Sequence, residues 1–221
     1  MNQVALPDIQ DSKWQRFFKL DSVPAPQMPW GKHVPWHWRD QQNYLTIKDR
    51  FMSEKLSAPF VIERTFSAPR AMLYAALTEA GHLGQWMAPA GMEITHCAVD
   101  ARRGGTFHYA MKARGFAAAP TMWGKWTFRE LAAPDRLVVV VQFSDAEGGV
   151  TRHPMAPQWP LLTLSTTTLT EAAGGTLMQV EWRALDANAG EEAIFNASHA
   201  AMTMGWGATM DVLDAYLQQQ K

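Results

Sequence analysis

Residues 59–67 alternate with a period of two: Phe60, Ile62, Arg64 and Phe66 stand against Val61, Glu63 and Thr65, the pattern of a strand. Ser67-Ala68-Pro69 then marks a helix start, with Ser67 as N-cap and Pro69 in the first turn. Met72, Leu73, Ala76 and Leu77 recur at helical spacing, and residues 78–87 read as a second short helix ending before Pro89. Three strand pairs follow: 92–100 with 106–112, 122–131 with 136–144, and 161–170 with 176–185. Their joints are Ala101-Arg102-Arg103-Gly104-Gly105, Ala132-Ala133-Pro134-Asp135 and Glu171-Ala172-Ala173-Gly174-Gly175. Paired glycines suit tight turns because they reach positive φ without a Cβ clash. The chain closes on a helix over residues 189–219, whose Phe195, His199, Met202, Trp206, Leu213 and Leu217 share one face. An antiparallel sheet must bury its apolar face, and this helix is the large partner at hand. The expected class is α+β: a curved, seven-stranded antiparallel sheet wrapped around a long C-terminal helix, with two short helices after the first strand.

Residues 1–57 break this regularity. Pro24, Pro26, Pro29 and Pro35 exclude regular structure between about 22 and 36. Helices are predicted on either side, over 11–20 with Trp14, Phe17 and Phe18 apolar, and over 40–56 with Tyr44, Ile47, Phe51 and Leu56 on one face. Trp14, Trp30, Trp36 and Trp38 are too apolar a load for a solvated tail. The segment is therefore expected to pack on the 58–221 domain or on a partner subunit, which leaves monomer and domain-swapped homodimer both open.

Composition narrows the partners. The 221 residues are 47% hydrophobic and 19% charged with a net charge of −1, so no global field recruits nucleic acid or an acidic membrane. Cys97 is the sole cysteine, which rules out an internal disulfide and a multi-cysteine metal site. The sequence opens without a basic stretch leading into an apolar core, and nothing approaches the run of about 18 apolar residues that a membrane span needs. A cytoplasmic protein is expected. Ten tryptophans and thirteen methionines suit an interior that accepts an apolar guest, and equally a large filled core.

Four segments in order resemble the START-like (SRPBCC) helix-grip superfamily, and within it the family of homologues of the heat-shock protein 90 ATPase activator. They are Ile62-Glu63-Arg64-Thr65-Phe66-Ser67-Ala68-Pro69 running to Trp86-Met87, and Val99-Asp100-Ala101-Arg102-Arg103-Gly104-Gly105-Thr106-Phe107 with Met111. The others are Gly124-Lys125-Trp126 through Ala133-Pro134-Asp135-Arg136-Leu137-Val138, and Gly205-Trp206 through Leu213-Asp214-Ala215-Tyr216-Leu217. The resemblance spans about residues 58–219; no match is evident in 1–57 to the separate domain that eukaryotic co-chaperones place first. It implies a cavity between the sheet and the long helix, and a family of binders, carriers and enzymes on one fold.

Alternation then nominates the lining. Phe107, Tyr109 and Met111 share one strand face, Trp126 and Phe128 another, and Met178, Val180 and Trp182 a third. Trp86 and Met87 stand at the mouth, with His199, Met202 and Trp206 facing them from the helix. Such a pocket suits a flat or elongated apolar ligand, oriented by Tyr109, His199 and indole N–H groups. His199 is the one candidate for acid–base work, though no carboxylate lies three or four residues away to orient it. Alternate hydroxyls of Ser165-Thr166-Thr167-Thr168 offer the wall some polarity. His108 points outward if Tyr109 points inward, His96 and Cys97 face opposite ways, and Pro35 interrupts the His33–His37 spacing, so no metal or cofactor is expected. Three readings result. The first is a non-catalytic binder of a small hydrophobic ligand; the second, a co-chaperone-like module with a chaperone or other protein partner. The third is a cyclase- or dehydratase-type enzyme using His199 and Tyr109.

Overall fold

The polypeptide joins the domain as an extension of its sheet. In the computed structural model, which describes residues 55–116 and 118–220, Leu56 bridges Leu185 and the Ser57 amide donates to the Ala184 carbonyl at 3.1 Å. Lys55 and Leu56 are therefore extended and do not end a helix, in keeping with the bias against helix ahead of Pro59. The rest of the 11–20 and 40–56 helices, and the packing of the N-terminal segment, lie outside the described residues.

The elements are β1 (Phe60–Phe66), α1 (Arg70–Thr78), α2 (Ala80–Trp86), β2 (Met92–Val99), β3 (Thr106–Ala113), β4 (Met122–Ala132) and β5 (Arg136–Ser144). They continue with β6 (Val150–Thr151), β7 (Leu162–Ala172), β8 (Gly175–Leu185), α3 (Ala189–Ala197) and α4 (His199–Gln218). The antiparallel sheet runs β1-β8-β7-β5-β4-β3-β2. The short β6 pairs with Phe143 and Ser144 of β5, just past the point where β7 stops at Val141↔Thr163. Two residues carry too little period to be read from sequence. Register irregularities between Ile94 and His96 and between Phe128 and Glu130 mark β-bulges, which bend their strands.

The β2–β3 turn uses its two glycines differently. Gly104 has φ +79°, whereas Gly105 is required by proximity: a Cβ there would lie 2.1 Å from the Asp100 carbonyl oxygen. The same turn is stitched to β4, with Gly104 N–H donating to Phe128 O at 2.7 Å and Phe128 N–H to Gly105 O at 2.9 Å.

Two helix expectations shift. Pro69, not Ser67, is the N-cap of α1, and the Leu73 amide bonds back to its carbonyl at 3.1 Å. Ser67 is instead the central residue of a tight turn in which Ala68 N–H donates to Phe66 O. The single long C-terminal helix is two helices. Asn188 and Glu191 form a capping box at the start of α3, and α3 ends at Ser198. The Ser198 amide is shared by the Ile194 and Phe195 carbonyls and its hydroxyl donates to Ile194 O at 2.8 Å, which tightens the turn before α4 begins.

Buried side chains form two clusters. One gathers Phe66, Leu73, Leu83, Trp86, Phe107, Trp126, Phe128 and Met178 beneath Met210, Leu213 and Leu217 of α4. The other joins Phe60, Trp159, Ile194, Phe195 and Met202 at the opposite end of that helix. Ile62, Trp182 and Trp206 pack against both. Ion pairs from Arg64 to Asp211 (2.5 Å) and Asp214 (3.5 Å) tie α4 to β1, and His82 Nδ1 lies 2.6 Å from the Tyr216 hydroxyl, tying it to α2.

Candidate functional site

Between the two clusters the helix-facing side of the sheet stands off from α4. The space is a cavity of about 140 Å³. Strand alternation delivers its sheet wall: Tyr109 and Met111 from β3, Trp126 from β4, Val141 and Phe143 from β5, Thr163 from β7 and Trp182 from β8. Met202, Gly205, Trp206 and Thr209 supply the helix wall, and Met87 and Pro89 the end of α2. Trp159, Pro160 and Leu161 close it from the segment ahead of β7.

The aromatic rings hold one another in preferred geometries. Phe107 stacks on Tyr109 at 4.8 Å and meets Trp126 edge-on at 5.1 Å, while Trp182 and Trp206 cross at 5.3 Å and 86°. Tyr109 stands opposite Gly124 in the β3–β4 register and its ring fills the place a side chain would occupy there. Burial pushes the Tyr109 hydroxyl up to about 12, so it is a neutral hydrogen-bonding group at any physiological pH. The Trp182 indole N–H is buried without a hydrogen-bond partner among the described residues.

The segment carrying Trp159 is fastened by polar contacts. Arg152 donates to the Trp159 carbonyl at 3.0 Å and pairs with Glu191 of α3. His153 Nδ1 accepts from the Met155 amide at 3.0 Å and the Ala156 amide at 2.9 Å, and its ring meets Phe143 edge-on at 4.4 Å. Burial pushes His153 down to about 4 and keeps it neutral, as an acceptor at Nδ1 requires.

Of the residues that alternation nominated, Met87, Tyr109, Met111, Trp126, Trp182, Met202 and Trp206 meet around this cavity. Phe107 and Phe128 face the same side but are packed into the core. Trp86 is core as well, its indole N–H held by the Ala76 carbonyl at 2.8 Å where α1 turns into α2. Met178 lines a separate void of about 20 Å³. His199 does not line the cavity. It shares a helix face with Met202 and Trp206 but lies a turn beyond them, where its ring packs at 5.5 Å from Phe60 and 5.4 Å from Phe195. Desolvation lowers its pKa there. Tyr109 lines the cavity, whereas His199 stands outside its lining.

Pro89, Met122, Trp123, Val141, Gln142, Phe143, Trp159, Pro160, Leu161, Thr163, Gly205 and Thr209 were not nominated from sequence. Val141 and Phe143 were reachable, since they stand opposite Trp126 and Gly124 in register. Trp159-Pro160 lies in a segment without period and gave no signal, and Leu161, the first residue of the predicted 161–170 strand, stands just ahead of β7. His108 stacks on Trp123 at 5.0 Å beside His96, and Trp123 itself, like Gln142, also reaches the cavity's lining. No group of three or more His, Cys, Asp or Glu residues suited to a metal occurs among the described residues. Nor does any helix among them have the length and apolarity to cross a membrane.

An antiparallel sheet closed over one long C-terminal helix, with two short helices after its first strand, defines a helix-grip protein of the SRPBCC type. Residues 67–218 match the family model described as Activator of Hsp90 ATPase homolog 1-like protein, and the chain belongs to that family. It is similar to the solved structure of a protein from Arthrobacter aurescens, at 21% identity and a TM-score of 0.59 over 75% of this chain and 91% of that one. A Staphylococcus epidermidis protein matches at 20% identity and 0.58, covering 76% and 93%. The AHSA1 protein of Silicibacter pomeroyi matches at 15% identity and 0.57, covering 74% and 100%. At these identities the likeness establishes the fold. No curated protein matches the chain.

Proposed function

We propose that this protein binds a small hydrophobic or aromatic ligand in the cavity between the sheet and α4, without catalysing its conversion. One observation carries the reading: a space of about 140 Å³ walled by Tyr109, Met111, Trp126, Trp182, Met202 and Trp206. Cavities near 150 Å³ with apolar walls stay dry and take up benzene-sized guests, so a space of this size and lining favours a one- or two-ring molecule. The test is displacement of an apolar fluorescent probe from the full chain by small aromatic compounds. Saturable displacement that weakens in Trp206→Ala supports the reading; a probe that neither binds nor is displaced overturns it.

Membership of a family named for an Hsp90 ATPase activator supports a second reading, a co-chaperone-like interaction module with residues 1–57 as its docking arm. A pull-down with a purified chaperone, retained by the full chain and lost without residues 1–57, is the expected result on that reading. Absence of retention by the full chain would sink it.

A further inference from the structure

Beside the cavity lies a smaller void, here called its annex, with a different lining. Trp126, Trp182 and Trp206 line both the main space and the void of about 20 Å³ beside it. Most of the annex wall is apolar, but Ser165 and Thr167, two residues apart on one face of β7, are part of it. Ser165 stands directly opposite Trp182 in the β7–β8 register. The Trp182 N–H is a buried donor without a partner among the described residues; Gln142 Nε2, on a residue of the main cavity's wall, is another. Leaving such a donor unmade costs about 1–3 kcal/mol, so an oxygen placed against it is strongly favoured.

Charge is the second constraint. Among the described residues, no Lys, Arg, His, Asp or Glu lines the cavity or the annex. A carboxylate or ammonium carried inside would be buried without a counter-charge, at a cost that a few hydrogen bonds do not offset. Size is the third. A void of about 20 Å³ admits a single oxygen-sized group.

We propose that the annex is the polar end of the binding site. It receives an uncharged hydroxyl or carbonyl oxygen of the ligand, with Trp182 donating to that oxygen and Ser165 and Thr167 completing its hydrogen bonds. The aromatic or aliphatic body lies in the main cavity. The annex thus selects neutral, singly oxygenated aromatics over both plain hydrocarbons and acids; the assignment rests on the ligand-binding reading above.

Isothermal titration of the full chain with toluene, p-cresol and p-toluate at neutral pH tests it. In a wholly apolar cavity the phenol would bind more weakly than toluene, because its hydroxyl loses water and gains nothing. The annex reverses that order: p-cresol is expected to bind about three- to tenfold more tightly than toluene, and p-toluate not measurably. Ser165→Ala and Trp182→Phe should each erase much of the p-cresol advantage over toluene. Toluene binding with no preference for p-cresol, or a preference that survives both variants, would mean the annex holds a water molecule only and would overturn the proposal. Failure of all three compounds and of the fluorescent probe would overturn ligand binding itself.

Discussion

The Tyr109 ring lies so close over Gly124 that a Cβ at Gly124 would come within 2.4 Å of its Cζ and hydroxyl oxygen. The two residues are direct cross-strand partners, and the missing side chain of one is the seat of the other. This contact fixes the aromatic that forms the β3 wall of the cavity. Gly124→Ala is expected to cost about 1–3 kcal/mol, the range for overpacking a well-filled site. It should also weaken ligand binding by displacing the ring. Adding Tyr109→Ala to Gly124→Ala should remove most of the clash, so urea denaturation of the double variant should show clear non-additivity. Simple additivity would mean that the two residues do not compete for the same space.

Tyr109 should be visible in an alkaline titration. Its hydroxyl stays protonated in the folded protein until about pH 12, while in the unfolded chain it ionises near pH 10. Above pH 10 the unfolded state therefore binds fewer protons, and stability falls as pH rises from about 10 to about 12. Ultraviolet absorbance should show a late-ionising tyrosine that disappears in Tyr109→Phe. The loss of stability with pH should be shallower in that variant. Burial raises Tyr74 too, so part of the slope should remain.

On the acid side His153 sets the direction. Its folded-state value near 4 lies below the unfolded value near 6.5, so on acidification the unfolded chain takes up a proton first. Its contribution is neutral above pH 7 and destabilising progressively between about 6.5 and 4. Asn offers an oxygen to the Met155 and Ala156 amides without titrating. Chemical denaturation of His153→Asn at several pH values should give a flatter acid slope, with a remainder from His199, which desolvation also lowers. An unchanged slope would show that His153 titrates alike in both states.

Arg152 holds the Trp159 side of the cavity to α3. Its removal leaves Glu191, which the fold buries, with its capping-box bond to the Asn188 amide but without its cation. Arg152→Met is expected to cost about 1–3 kcal/mol. Cleavage by a broad-specificity protease should concentrate at residues 145–161, and probe affinity should fall with it. Wild-type resistance in that segment would show that the Arg152–Glu191 pair contributes nothing to closing the cavity.

Much of the fold was legible because its punctuation is chemical. Ala101 to Gly105, Pro134-Asp135 and Gly174-Gly175 interrupt period-two runs, and the observed strands begin and end within a residue or two of those breaks. The facing of Tyr109, Met111, Trp126 and Trp182 was equally legible, since alternation fixes the side of a sheet a residue occupies. Alternation says nothing of depth. Phe107, Phe128 and Met178 share that side yet are covered in the core, because depth depends on where α4 crosses the sheet. The break at Ser198 was not legible, as the apolar spacing from Phe195 to Leu217 continues through it. Trp159 reaches the cavity from irregular chain held by Arg152 and His153, partners remote from any periodic signal.

The most direct test is a high-resolution crystal structure of the full-length protein, purified without added ligand. The account predicts an empty or ligand-filled space bounded by Tyr109, Trp182 and Trp206, with the Trp182 N–H directed at an oxygen in the annex. A solid interior, with the Trp206 indole packed against Tyr109 and no room between the sheet and α4, would contradict it.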